Sequence, residues 1–178
     1  GNMINTENAL DIAIDGPGFM QITQADGTIA YTRDGAFKIN AAGQVVTGHG
    51  DLLDPAIVIP DNAASISIGR DGTVTAELVA GGGQVALGQI NLARFINPAG
   101  LQPMGQNLYK ETAASGAPVV LVPGTEGIGF LRQGMLEASN VNVVEEMVNM
   151  IETQRAYEVN SKSISATDGM LRFLNQNL

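Results

Sequence analysis

The pattern that decides the fold of this protein lies in residues 140–178, which read NVNVVEEMVNMIETQRAYEVNSKSISATDGMLRFLNQNL. Asn142 can cap a helix here, because its side-chain oxygen can accept hydrogen bonds from the free N–H groups of the first turn. Glu145 stands three residues further on, where a capping box has an acid, and Glu146 follows it at the positive end of the helix dipole. The stretch is therefore predicted to form one long α-helix.

An apolar stripe runs along this predicted helix at intervals of seven residues, which is the spacing of a coiled-coil seam. At ~1.5 Å per residue the helix is roughly 50 Å long, too long to lie wholly on one small domain. We therefore expect part of the stripe to pack against a partner; the alternative is a helix folded back on its own domain. The stripe, called the seam from here on, consists of Met147, Met150, Ile151, Tyr157, Ile164, Leu171, Leu174 and Leu178.

Polar and glycine residues interrupt the seam. Gln154, Ser161 and Asp168 occupy positions where a two-helix coiled coil would have apolar residues, so they favour a helix packed among several others. Gly169 costs about 1 kcal/mol relative to alanine inside a helix. We expect the last turns of the helix to fray or kink there.

Residues 12–138 have the pattern of an antiparallel β body. Short runs of alternating apolar and polar residues are separated about every eight residues by Gly-Pro-Gly or Asp-Gly turn signals. The 22 glycines and only 4% aromatic residues agree with many tight turns around an aliphatic core. The predicted fold class is mainly β: an antiparallel, turn-rich body, sandwich-like or barrel-like, with one long C-terminal α-helix.

The change in sequence period divides the chain into three parts. Residues 1–11 are unpatterned and are predicted to be a connector, residues 12–138 to be the β body, and residues 139–178 to be a C-terminal helical arm. The best boundary lies near Ser139, because the alternating pattern ends there and the helical pattern begins.

Within the β body, two segments receive specific predictions. Residues 85–95 are predicted to form one long strand with a bulge, which Gly88 could supply. Residues 133–137 are predicted to form a last strand or an extended segment that leads to the helix. Between residues 97 and 129, proline and glycine dominate, and the pattern assigns only short apolar pieces.

Composition excludes several classes of partner. The net charge of −9, with no cluster of Lys and Arg, provides no electrostatic footprint for nucleic acid or anionic lipid. No run of about 18 apolar residues could span a bilayer, so membrane insertion is not expected. The absence of cysteine excludes disulfides and thiolate chemistry. Gly1 is followed by an abrupt polar start, so we expect the natural chain to begin earlier.

No residue pattern indicates catalysis or a bound cofactor. His49, the single histidine, lies between two glycines, so a Ser-His-Asp triad would have to be built on a flexible turn. Asp51 and Asp54 could offer oxygens to calcium, but the spacing lacks the alternating acids of an EF-hand loop. The glycine-rich residues 124–129 fit neither a Walker loop nor a dinucleotide fingerprint. We expect no catalytic residue, no cofactor, no metal site and no enzyme activity.

The helix carries a recognisable signature. Residues 139–151, SNVNVVEEMVNMI, and residues 154–162, QRAYEVNSK, closely resemble the C-terminal signature of bacterial flagellar rod and hook proteins. Residues 155–162 are most similar to the distal-rod members of that family. Similarity to the family's first β segment extends over residues 15–19 (DGPGF), 31–37 (YTRDGAF) and 43–47 (GQVVT).

This resemblance implies a structural subunit of a helical tube, the drive shaft of the flagellum, in the basal body across the periplasm. It implies that a terminal helix from each end of the chain packs into the inner wall of the tube, while the β body forms an outer layer. Implied partners are further copies of the chain, neighbouring rod and hook proteins, and the ring proteins around the rod. The resemblance also implies delivery by the flagellar export apparatus. Because no N-terminal helix precedes the β body, we expect an N-terminally truncated chain.

Two alternatives stay open at this point. Within the same family, the chain could be a hook or proximal-rod subunit. From another class, it could be a β-rich module of the envelope that binds a ligand or catalyses a reaction, which would require a concave polar pocket.

Overall fold

The structure is a computed structural model that describes residues 1–79, 83–139 and 143–176; for Val143 and residues 168–176 it describes the backbone alone. The chain divides into two compact units, Gly1–Ala138 and Ser139–Leu178, which we call the β unit and the helical unit. The finer division into a connector, a β body and an arm stays a prediction.

In the described residues the β unit forms sixteen strands, all paired antiparallel. The strands are β1 (Met3–Asn5), β2 (Ile12–Asp15), β3 (Phe19–Thr23), β4 (Ile29–Thr32), β5 (Lys38–Ile39), β6 (Val45–Val46), β7 (Leu52–Asp54), β8 (Ala63–Ile68), β9 (Thr73–Leu78), β10 (Gln84–Gln89), β11 (Leu92–Arg94), β12 (Gln102–Gly105), β13 (Leu108–Lys110), β14 (Val119–Leu121), β15 (Phe130–Gln133) and β16 (Met135–Glu137). The helical unit contains α1 (Val143–Gln176). The predicted mainly β fold with one long C-terminal helix is confirmed.

The sixteen strands are arranged in four sheets. The largest has nine strands in the order β12-β13-β4-β3-β7-β6-β5, with β11 joining β3 and β14 joining β11. A second sheet has the order β10-β9-β8, and two strand pairs, β15 with β2 and β1 with β16, complete the unit. Because β12 and β5 lie at opposite ends of an open path, the nine-stranded sheet does not close on itself in the described residues. Of the two predicted layouts, the barrel-like one is not formed.

A common aliphatic core holds these sheets together. Strand β2 contributes Ile12 and Ile14, strand β3 of the nine-stranded sheet contributes Met20, and strand β9 of the three-stranded sheet contributes Val74. All of these side chains are buried. Since full burial of one such side chain stabilises the fold by about 1.5–3 kcal/mol, the shared core makes three sheets into one unit.

A smaller aromatic cluster packs beside the nine-stranded sheet. The rings of Tyr31 and Phe95 meet edge to face, with centroids 4.8 Å apart. Phe19 makes the same kind of contact with Phe95 and Tyr109, at 5.9 Å in each case. Burial raises the pKa of the Tyr31 phenol, as expected for a group whose charged form would lose water. The cluster fixes the start of β3 against the neighbouring strands.

Two turns of the β unit use the same Asp-Gly-Thr device. The Asp26 carboxylate accepts hydrogen bonds from the backbone N–H and the hydroxyl of Thr28, at 2.9 and 2.6 Å. The Asp71 carboxylate does the same with Thr73, at 3.2 and 2.8 Å. These bonds, led by the one from the threonine hydroxyl, lower the pKa of both aspartates. The turns predicted at these Asp-Gly pairs are confirmed.

The single long strand predicted for residues 85–95 is wrong, because the segment is divided between two sheets. Strand β10 pairs with β9, whereas β11 pairs with β3 and β14. Between them Ile90 is buried, and its N–H donates to the Gly72 carbonyl at 2.8 Å, which ties down the crossing point. The bulge predicted at Gly88 is confirmed, since the β10–β9 register shifts between Ala86 and Gly88.

Two elements near the ends of the β unit also differ from expectation. Strand β1 lies within residues 1–11, for which no element is predicted; its residues are all exposed and therefore carry no alternating pattern. The segment predicted over residues 133–137 is divided by Gly134, whose φ of 73° breaks the extended backbone between β15 and β16. A positive φ of this kind favours glycine, so the division depends on this residue.

The close approach at Gly35 gives a test of the packing. A β-carbon added to Gly35 would collide with the backbone carbonyl of Ile12, whereas one added to Gly48 would meet nothing within 4 Å. We expect Gly35→Ala to destabilise the β unit by at least about 2 kcal/mol, the scale of overpacking, and Gly48→Ala to change its stability little. Urea unfolding of both variants measures the difference, and equal midpoints would contradict the packing described here.

Candidate functional site

The helical unit offers the candidate site, and its local sequence explains why it is helical. Glu145 and Glu146 occupy the first turn of α1, where a negative charge is favourable. The predicted cap, Asn142, lies outside the described residues. The helix continues to Gln176, so its backbone passes through Gly169 without ending there. Its 34 residues correspond to a length of about 50 Å.

The seam is exposed wherever its side chains are described. Met147, Met150, Ile151, Tyr157 and Ile164 keep between half and three quarters of their surface in water. A few scattered exposed apolar residues are normal, but a contiguous line of them marks an interaction site. The side chains of Leu171 and Leu174, and the whole of Leu178, lie outside the described residues.

A second apolar face was missed by the sequence analysis. Val148 and Val159 are 49% and 62% exposed and lie eleven residues apart, about three helical turns, so they share one side of α1. Each is two residues, about 200° around the helix, from Met150 or Tyr157, so it faces away from that part of the seam, while Val148 lies three residues from Ile151, on a neighbouring side. The eleven-residue spacing is the signal that could have revealed this face. The helix therefore presents apolar residues in two directions.

Hydroxyl groups on α1 bond to the helix itself. Thr153, Ser165 and Thr167 each donate to the backbone carbonyl four residues earlier, at 2.8, 3.0 and 2.9 Å. A hydroxyl satisfied in this way needs no further partner when water is removed. These polar residues are therefore compatible with close packing of neighbouring helices around α1.

The last strand before the helical unit is held by a charged cluster around Arg33. The Arg33 guanidinium donates from Nε to Glu137 Oε2 at 2.9 Å, and its second terminal nitrogen lies 2.8 Å from the same oxygen. It also donates to the backbone carbonyls of Ile14, Gly16 and Gly18, at 3.3, 3.1 and 2.8 Å. One side chain thus contacts β2, the turn that follows β2, and β16.

The Glu137 carboxylate is held in its charged form. Burial opposes its ionisation, but hydrogen bonds from the amino group of Gly1, at 2.8 Å, and from Arg33 outweigh burial and lower its pKa. Because Glu137 ends β16 one residue before the last residue of the β unit, this ion pair lies where the chain leaves the sheets.

Residues considered for other chemistry belong to the β unit. His49 is exposed in the turn between β6 and β7. Asp51, which precedes β7, and Asp54, its last residue, are half-buried. His49 borders a pocket of about 70 Å³ that Asp34 and Gln106 also line. Among the residues that the structure describes, no group of three or more His, Cys, Asp or Glu side chains could hold a metal ion. No helix in the described ranges is long and apolar enough to cross a membrane.

Comparison with known families matches both units. A family model described as the D1 domain of the flagellar hook protein FlgE/F/G matches residues 13–76. A second, described as the C-terminal part of the flagellar basal body rod FlgEFG protein, matches residues 132–177 and so includes all of α1.

Relatives that align over the whole chain show to which of these hook and rod protein families the chain belongs. The chain is 51% identical, over 99% of its length and 68% of the relative, to the flagellar basal-body rod protein FlgG of Buchnera aphidicola subsp. Schizaphis graminum. The chain belongs to the FlgG family of flagellar basal-body rod proteins. It is 48% identical to FlgG of Agrobacterium fabrum, over its whole length and 68% of that protein. Its identity to the basal-body rod protein FlgF of Caulobacter vibrioides is lower, at 38% over 97% of the chain and 66% of that protein.

Membership of this family confirms the resemblance read from residues 139–162. The chain is a structural subunit of the flagellar rod and is located in the basal body. It assembles with itself and with other rod and hook proteins.

The lowered pKa of Glu137 predicts a pH dependence. The folded-state pKa lies below the unfolded value of ~4.3, so the stabilisation is complete above that value and is lost as the pH falls through the folded-state pKa. We expect Glu137→Gln to lower stability by about 1–3 kcal/mol at pH 7, and the difference from the native chain to shrink as the pH falls below the unfolded-state pKa. Thermal unfolding between pH 3 and 7 measures this, with Glu77→Gln on β9 as a control. A difference that does not change with pH would contradict it.

Proposed function

We propose that the chain builds the distal part of the rod by packing the seam of α1 against helices of neighbouring subunits. The observation that carries this proposal is the line of exposed apolar side chains at seven-residue spacing, which includes Met150, Tyr157 and Ile164. An apolar line at this spacing fits between the residues of a facing helix. Leu171, Leu174 and Leu178 extend the same line in the sequence.

Removal of the seam from water would drive such assembly. Burial of one aliphatic or methionine side chain contributes about 1.5–3 kcal/mol, so the seam residues from Met147 to Ile164 would together contribute several kcal/mol to each contact. A subunit that contacts its neighbour head to tail, without closing a ring, produces a filament. Burial of the seam would therefore supply free energy for assembly. Head-to-tail contact would extend that assembly along one axis.

The second apolar face supports packing among several helices. Val148 and Val159 face away from Met150 and Tyr157, so one facing helix could not cover all of the exposed apolar surface of α1. Gln154 and Ser161 on the seam side also weaken a simple two-helix contact. A tube wall, in which each helix has neighbours on more than one side, satisfies both observations.

We further propose that the chain works without catalysis and that its partners include further copies of itself, the adjoining rod and hook proteins and the rings around the rod. It would reach them through the flagellar export apparatus. The matches to hook and rod families over residues 13–76 and 132–177 support the adjoining partners. The higher identity to FlgG than to FlgF, 51% against 38%, supports the distal rod over a proximal-rod position.

The rival function, an envelope module that binds a ligand, has two pockets of the β unit in its favour. One, whose lining includes Asn40 and Asp61, has a volume of about 370 Å³, within the range of small-molecule sites. The other pocket, beside His49, is lined by polar groups of Asp34 and Gln106, but its volume of about 70 Å³ is well below the ~300 Å³ of a typical small-molecule site. Melting curves recorded with sugars and with divalent cations test this rival. A saturable shift that His49→Ala removes would favour ligand binding.

A charge placed on the seam tests the assembly proposal. We expect Ile164→Asp to abolish rod assembly and motility, because a carboxylate buried without a partner costs several kcal/mol. The melting temperature of the β unit should stay unchanged, since Ile164 belongs to the helical unit. Electron microscopy of basal bodies and swarming on soft agar measure the effect in a bacterium that carries the variant in place of its native protein.

The matched control is Ser165→Asp. Ser165 neighbours Ile164 but lies about 100° around the helix from it and about 120° from Val159, away from both of these apolar side chains, so the same charge should be tolerated there. Motile cells with Ile164→Asp, or equal loss with both variants, would count against the seam as the assembly surface.

A further inference from the structure

The Arg33 cluster connects parts of the β unit that hydrogen bonds between strands leave separate. Arg33 follows β4 of the nine-stranded sheet, Ile14 belongs to β2, and Glu137 belongs to β16. These strands lie in three different sheets. The contact between Arg33 and Glu137 joins residues 104 positions apart in the chain. One guanidinium therefore ties three sheets together at a single point.

The position of Glu137 relates the Arg33 contact to the transmission of force along the chain. Residue 139 begins the helical unit, so force carried along the backbone from α1 enters the β unit next to β16, the strand that ends at Glu137. Strand β16 pairs with β1 over three residues, and the residues of β1 are exposed. A pair of this length has little resistance of its own, because two isolated strands are marginally stable in water.

We propose that Arg33 is the mechanical anchor of the helical unit, the residue that resists separation of β16 from the rest of the β unit under force. Through Glu137 it transfers force from β16 to the turn at Gly16 and Gly18, and from there to β2 and β3. The inference rests on the proposed rod function, because it is in a rotating shaft that the helix and the β unit must carry load between them. Arg33 is a positioning residue here, because it acts through Glu137.

The shape of the guanidinium is part of the argument. Five donors in a fixed plane allow Arg33 to reach one carboxylate and three carbonyls at once, which the single ammonium group of lysine does not match. Phe19 lies under the same group, with the guanidinium carbon 6.0 Å from the ring centroid. Arg33→Lys therefore keeps the charge and loses the geometry.

Amide hydrogen exchange on the whole chain tests the anchor without requiring assembly. The reporters at the anchored end are the Ala138 N–H, bonded to the Asn2 carbonyl, and the Thr6 N–H, bonded to the Gly134 carbonyl. In Arg33→Gln we expect their protection to fall about tenfold, the factor that corresponds to 1.4 kcal/mol, while the amides between β3 and β4 keep theirs. Glu137→Gln should reproduce this loss, and Arg33→Lys should recover only part of it.

The matched control is the other side-chain ion pair of the β unit, Arg132 with Asp15. It has the same chemistry, at 2.6 Å between nitrogen and oxygen, and joins β15 to β2 without touching β16. Arg132→Gln should leave the protection of Ala138 and Thr6 unchanged. Unchanged protection in Arg33→Gln, full protection in Arg33→Lys, or an equal loss in β3 and β4 would each overturn the anchor.

Cells distinguish failure of the anchor from failure of the assembly proposal. With Arg33→Gln we expect rods to form, because the seam is intact, and flagella to be lost more readily under shear than with Arg132→Gln. If Ile164→Asp cells still build rods, the assembly proposal fails while the exchange result stands. Absence of rods in Arg33→Gln cells, or equal shear resistance in the two arginine variants, would overturn the proposal that Arg33 is a mechanical anchor.

Discussion

Exposed apolar surface on a single long helix is the constraint on which the rest of this molecule depends. The seam of α1 carries methionine, isoleucine and tyrosine side chains that remain at least half exposed. Hydration of such a surface is unfavourable, so neighbouring molecules gain free energy when they cover it. The helix also presents valines that face away from Met150 and Tyr157. On the proposed function, a wall of several helices would cover both directions.

In the β unit, by contrast, the residues of the apolar core are already shielded from water. Its core draws aliphatic side chains from three sheets, and a separate aromatic cluster packs at the start of β3. The Asp-Gly-Thr turns and the close approach of Gly35 to Ile12 keep the connections short. On the proposed function, folding of the β unit and assembly through α1 use different surfaces. The Arg33 cluster is the proposed anchor at the C-terminal end of the β unit.

The sequence predicted individual turns and strands well where the pattern was local. Alternation marked β2 and β3, and Asp-Gly pairs marked the turns at Asp26 and Asp71. The prediction failed over residues 85–95, because alternation continues across a point where the chain changes sheets. It missed β1, whose residues are all exposed, and it did not define β12 to β14, which lie among prolines and glycines. Strands β1, β11, β13 and β14 pair with strands distant in the sequence, whereas β12 pairs only with its neighbour β13, and local preference alone indicates none of these pairings.

The sequence by itself determined the family, the long helix and the residues of its seam, because a seven-residue period and a signature motif are properties of neighbouring positions. Only the tertiary structure decided the strand order, the crossing at Ile90 and the convergence of Arg33 on Ile14, Gly18 and Glu137. The physical reason is separation along the chain. Contacts such as that between Arg33 and Glu137, which are 104 positions apart, depend on how the sheets stack around a shared core, and no local pattern records that stacking.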